Sequence, residues 1–219
     1  MNLLVGFMRT FSIDSEEIKD ILISVFAISF SLVLAEFGFG LSSDKFLSYL
    51  LIYALAIGSG FIVHELSHKF FAFYFGHYAR YQPFSFGLFL MFFIALLIAI
   101  FNLPLPLFLA PGAVMIYSNR RISSYENGII SAAGPVANII LAIIFFLIAI
   151  YSSITQSSNS NFWFNLFLSS AVIGIKINFY LAFFNLIPLF PLDGSKVFSW
   201  NKFIWLFLIL LSIIGFVIF

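Results

Sequence analysis

The 219-residue chain has no cysteine, only three histidines, and few charges of either sign, nine acidic and ten basic. The lack of cysteine excludes disulfides and thiolate metal sites. Charged residues make up 9% of the chain against 63% hydrophobic, and mean hydropathy is +1.12. So little polar surface cannot cover a soluble domain of this size. The sequence therefore predicts an all-α, multi-pass membrane protein whose first partner is the lipid bilayer. A net charge of +1 offers no basic patch, so no nucleic-acid partner is expected. Three histidines are too few for the histidine-rich di-iron sites of membrane oxidases and desaturases. No internal repeat is visible, and no stretch is long enough for a separate soluble domain.

The scarce polar residues are concentrated in one place. His64-Glu65-Leu66-Ser67-His68 sits inside an apolar run. Ionisable groups in hydrocarbon are costly, so three together point to function. On a helix the two histidines stand at i and i+4 on one face, spaced to share one tetrahedral Zn²⁺. Glu65 points about 100° round, toward a reacting water rather than the ion. With three His and five Glu in the chain, chance gives this pattern about once in a thousand such sequences.

Residues 1–18 read as an N-terminal interfacial segment and 19–219 as one transmembrane domain with a core of about 46–200. Asp14 and Glu17 read as a capping box that opens a helix. Apolar spans are expected at about 19–39, 46–75, 128–151, 162–187 and 203–219, five to six in all if the short stretch 87–101 is counted. Gly58 and Gly60 permit close helix approach, and His77 lies just outside the second span. Ala110-Pro111-Gly112 reads as a turn and Ala113–Tyr117 as a strand, with Ser118-Asn119 folding it onto Arg120–Tyr125 as a small β-hairpin. If 84–117 is re-entrant, crossing zero net times, Arg9, Lys19, Lys69, Arg80, Arg120, Arg121, Lys196 and Lys202 all fall on one side. The positive-inside rule then makes the N-terminus cytoplasmic, with a cell-membrane location.

A catalytic zinc needs a third protein ligand and an open position. Asp193 is the only acid after Glu126, and the Pro188 to Pro191 stretch before it can turn its carboxylate inward. In such a site Glu65 would take a proton from water and pass it to a leaving amine, with Asn185 a candidate donor to the oxyanion. Gly134-Pro135 either lies near the site or merely opens a helix. Asn138 either serves the site or bonds between helices. Lys176 reads as a snorkelling or paired lysine, and the 113–125 region as a re-entrant cover or a substrate-binding edge.

These three motifs, His64-Glu65-x-x-His68, Gly134-Pro135-x-x-Asn138 and Asn185-x-x-Pro188-x-x-x-x-Asp193-Gly194, resemble the site-2 protease family of intramembrane zinc metalloproteases. The resemblance covers about 46–200. It implies one Zn²⁺ per chain held by His64, His68 and Asp193, with Glu65 as catalytic base. Asn185 and Pro188 match positions that handle substrate, which would be a transmembrane protein. Ala110 to Val114 resembles archaeal members, and the chain looks like a minimal member without PDZ or CBS domain. Two rivals are an inactive member acting as a membrane scaffold and a metal-binding transporter. The complete His-Glu-His-Asp set argues against the first. Polar groups converging on one point, rather than spread over symmetric halves, argue against the second.

Overall fold

The computed structural model describes residues 12–105, 107, 111–155 and 161–219. Arg9, Pro106 and Ala110 lie outside the described residues, as does most of the expected interfacial segment. The described elements run α1 (Ser15–Phe37), α2 (Ser43–Tyr74), β1 (Tyr78–Pro83), α3 (Ser85–Phe101), β2 (Gly112–Tyr117), α4 (Ser124–Thr155), α5 (Phe162–Asn185), α6 (Asp193–Trp200) and α7 (Lys202–Ile218). Helices α1, α2, α4 and α5 are long and apolar enough to cross a membrane, and α3 and α7 are shorter apolar helices.

Helix α1 opens where the capping pair predicts, with Asp14 Oδ1 accepting from the Glu17 amide at 2.8 Å. The reciprocal half of the box is not made. Glu17 is buried and instead pairs with Lys69 of α2, while its Oε1 accepts from the Tyr81 amide of β1 at 2.9 Å. Lys69 also donates to the Ser12 carbonyl at 2.7 Å. A buried carboxylate must find its partners inside the fold, and here they tie α1, α2 and β1 together. Removing one member of such a pair costs about 3–5 kcal/mol, because the other is left charged and dry.

The short helix α3 spans only about 25 Å by its 17 residues, less than the roughly 30 Å hydrocarbon core. It leaves and returns to one place, for the Phe84 amide donates to the Pro111 carbonyl at 2.8 Å. The excursion packs on α1, and its Met91, Ala95 and Ile98 share one core with Ile21 and Ile28 of α1 and Ile57 and Phe61 of α2. A second core joins α4, α5, α6 and α7 through Ile139, Ala142, Phe179, Ala182, Val197 and Leu208.

Two local expectations change. The strand at 112–117 does not fold onto Arg120–Tyr125; it pairs antiparallel with β1, Tyr81 opposite Val114 and Tyr78 opposite Tyr117. Residues 123–125 are claimed by the start of α4, where a full capping box forms: the Ser123 amide donates to Glu126 at 2.9 Å and the Glu126 amide to Ser123 Oγ at 3.2 Å. Arg120 adds two hydrogen bonds to the Glu126 carboxylate. Helix α4 therefore begins before residue 128, and Pro135 lies inside it rather than at its opening.

The sheet has one covered and one open edge. The Tyr81 amide points at Glu17, away from β2. Opposed residues in an antiparallel pair either exchange both hydrogen bonds or neither. Val114, opposite Tyr81, therefore turns its amide away from β1, and Ile116 does the same two residues on. Pro83, which has no amide hydrogen, falls at an outward position of β1, where no ladder bond is lost.

Candidate metal centre

The two histidines of α2 meet as their spacing requires. His64 Nε2 and His68 Nε2 lie 3.0 Å apart, with the rings edge to face. Asp193, the first residue of α6, brings Oδ2 to 3.0 Å from His68 Nε2 and 3.4 Å from His64 Nε2. The loop that delivers it is tightly packed. A Cβ on Gly194 would collide with the Leu186 and Ile187 carbonyls, so only glycine lets α6 start against the end of α5.

The outer nitrogens decide which lone pairs face inward. His68 Nδ1 sits 2.7 Å from the Ile130 carbonyl, which can only accept, so Nδ1 carries the proton. His64 Nδ1 lies 2.6 Å from Asn138 Oδ1. The Asn138 amide nitrogen already donates to the Gly60 carbonyl at 3.1 Å and to Asn178 Oδ1 at 2.9 Å, so its oxygen faces His64. Both Nε2 atoms are thereby left as bare acceptors.

Two imidazole lone pairs and a carboxylate oxygen, all within 3.4 Å in a buried spot, repel one another unless a cation lies between them. Tetrahedral Zn²⁺ with bonds of about 2.0–2.1 Å sets its ligands roughly 3.3–3.4 Å apart, close to these separations. Gly134 of α4 keeps the spot open, since a Cβ there would stand 2.5 Å from His68 Nε2 and 2.6 Å from His64 Nε2. These residues fit a zinc ion. Among the described residues, the group able to hold a metal is His64, His68 and Asp193.

Glu65 is buried beside them, and its Oε2 has no hydrogen-bond partner among the described residues. The Val114 backbone amide, on the open edge of β2, faces its carboxylate. Lys196 stands 3.5 Å from Asp193 Oδ1, leaving Oδ2 for the histidines.

The remaining expected residues separate. Gly134 faces both histidines, Asn138 bonds to His64, and Pro135 lies between those two positions on α4. Asn185 donates to the Leu181 carbonyl of its own helix at 3.0 Å, and Pro188 lies exposed in the turn beyond it. Neither is hydrogen-bonded to the three metal-competent residues. Lys176 is exposed on α5 with its ammonium 5.6 Å from the Phe216 ring centre. His77 is buried, with Nε2 3.9 Å from Glu126. Burial and the Arg120 guanidinium hold its pKa below the ordinary value, against the opposing pull of Glu126. Asn178 has no role in the sequence reading. Asn178 stands seven residues before Asn185, two turns along one face, which was the available signal.

No family model matches the chain, and no solved structure matches it. It is 35% identical over 212 residues to a protein of Methanocaldococcus jannaschii that bears the name "putative zinc metalloprotease". The alignment covers 97% of this chain and 98% of that relative.

Proposed function

The chain belongs to the family of that Methanocaldococcus jannaschii protein, and from this premise we propose that it is an intramembrane zinc endopeptidase of the site-2 protease type. Its substrates would be transmembrane segments of other membrane proteins. The observation that carries the reading is Glu65 Oε2, without a hydrogen-bond partner among the described residues, beside three converging metal donors, two of them on the long apolar helix α2. His64 lies ten residues before the end of α2, about 15 Å from it, a depth that would set it inside the hydrocarbon of a spanning helix.

His64, His68 and Asp193 would hold the ion, which when bound polarises the scissile carbonyl and lowers the pKa of water toward about 7. Glu65, whose Oε2 has no partner among the described residues, takes the proton from the attacking water and delivers it to the leaving amine. The fixed outer hydrogen bonds of His64 and His68 keep the donors in place through this transfer. The test is cleavage of single-span membrane proteins by the purified enzyme, with Glu65→Gln as control.

A helical substrate has each carbonyl tied to the amide four residues on, so it must unwind before attack. Its freed backbone groups cannot stay unpaired in hydrocarbon. The outward amide of Ile116, and that of Val114 where Glu65 yields it, supply an edge to which such a segment adds as a strand. Val114→Pro or Ile116→Pro removes one donor from that edge while β1 keeps its own bonds to β2. Each is expected to slow cleavage about tenfold or more, in proportion to one lost buried hydrogen bond, with zinc content unchanged. Full activity of both variants on helical and on Gly-loosened substrates would rule out strand addition.

The reading also sets the topology. With α1, α2, α4 and α5 crossing and residues 84–111 returning to their origin, the N-terminus and the Asp193 turn share the cytoplasmic side. The chain has no native cysteine, so single cysteines report cleanly. Ser118→Cys and Ser199→Cys should be labelled from one face and Asn161→Cys from the other. Labelling of 118 and 199 from opposite faces would refute the arrangement.

A further inference from the structure

Behind His64 a line of side-chain amides runs through three helices. Asn178 of α5 donates from Nδ2 to the Gly174 carbonyl, one turn earlier, at 2.8 Å. That bond fixes the Asn178 amide, so its Oδ1 points to α4 and accepts from Asn138 Nδ2 at 2.9 Å. Asn138, held thus, turns Oδ1 to His64 Nδ1. Asn138 and Asn178 are both fully buried, at 0% exposure, so no water competes for these bonds. The chain has made room for the arrangement: a Cβ on Gly60 of α2 would stand 2.5 Å from Asn178 Oδ1.

The line matters because Asn138 is ambivalent. An amide can present oxygen or nitrogen to an imidazole with almost the same shape. Presenting nitrogen would make Nδ1 the acceptor and move the ring proton to Nε2, the atom that faces His68 and Asp193. The Gly60 carbonyl alone gives Asn138 one reason to face the right way; the Asn178 oxygen gives it a second, itself fixed by main chain. We propose that Asn178, seated over Gly60, is a positioning residue that orients Asn138 and so keeps the His64 Nε2 lone pair turned to the metal. The proposal deepens the zinc-enzyme reading and rests on it for the identity of the ion. Asn178 touches neither metal nor substrate; it acts through Asn138.

The test compares Asn178→Leu with Asn178→Asp. Leucine is close to asparagine in size but offers no acceptor. A buried, protonated aspartic acid donates to the Gly174 carbonyl and accepts from Asn138, reproducing the native pattern. With only three histidines in the chain, ¹⁵N-histidine NMR of the metal-free protein at about pH 8 resolves which nitrogen of His64 carries the proton. Wild type and N178D should show Nδ1–H, and N178L a substantial Nε2–H population. Zinc transfer to an added chelator should be at least about tenfold faster from N178L than from wild type, with N178D close to wild type. If N178L does not fold, Gly60→Ala displaces the same amide without removing a polar group and should give the same two changes. A pure Nδ1–H pattern in N178L overturns the proposal, whatever its zinc loss. A tautomer shift with unchanged zinc loss overturns it too, since the amide would then not serve the metal. Should the wild-type protein bind no zinc, the enzyme reading fails, while the NMR comparison still decides whether Asn178 orients Asn138.

Discussion

Glu65→Gln is expected to lower cleavage of a single-span substrate by about 10²–10⁴-fold while zinc content stays at wild-type level. Glutamine has the same shape and keeps an oxygen for the Val114 amide, so the edge of β2 retains its neighbour. What it lacks is a basic oxygen. The native Oε2 bonds to nothing among the described residues, so no part of the fold depends on it. Nor do the metal donors, which find their outer partners on α4 and Lys196. The variant thus separates proton transfer from metal binding. Turnover near the wild-type rate would show that another group is the base. Loss of zinc together with activity would place Glu65 among the ligands instead, against the geometry.

The second large effect is on the metal itself. The double variant His64→Ala, His68→Ala should carry almost no zinc by elemental analysis, against one ion per chain in the wild type. Each single variant should lose most of it. Asp193 alone offers one carboxylate, and structural zinc sites take four donors while catalytic ones take three with an open position. The histidines are also the donors held most firmly, with Nδ1 of each bonded to α4. Removing them leaves the Ile130 carbonyl and Asn138 short of a buried partner, so some stability is lost as well, on the order of 1–3 kcal/mol for each. Thermal unfolding of the variants would measure that separately. Stoichiometric zinc in the folded double variant would end the metal assignment.

Much of this could be read from residue order because the bilayer simplifies the problem. Hydrocarbon demands long apolar helices, so the spans announce themselves, and any polar residue inside them stands out. His64, Glu65 and His68 needed only the helical repeat to be placed on one side of α2. The start of α1 followed from Asp14, a local hydrogen bond between residues three apart. The start of α4 was equally local, in Ser123 and Glu126, but Ser118-Asn119 offered a competing turn signal. Both patterns were physically sound; the capping box, reinforced by Arg120, prevailed.

By itself, then, the sequence determined the class of protein, the helices that carry it and three of the four chemically decisive side chains, since each depends on local periodicity or on the cost of charge in hydrocarbon. It pointed to Asp193 by scarcity. Tertiary structure decided the rest: that β2 pairs with residues 78–83, that Glu17 abandons its own cap for Lys69 and Tyr81, and that Asn178 reaches His64 through Asn138. These are contacts between residues about 30 to 75 positions apart, made because a buried polar group must be satisfied by whichever partner packing brings near. No local pattern encodes which partner that will be.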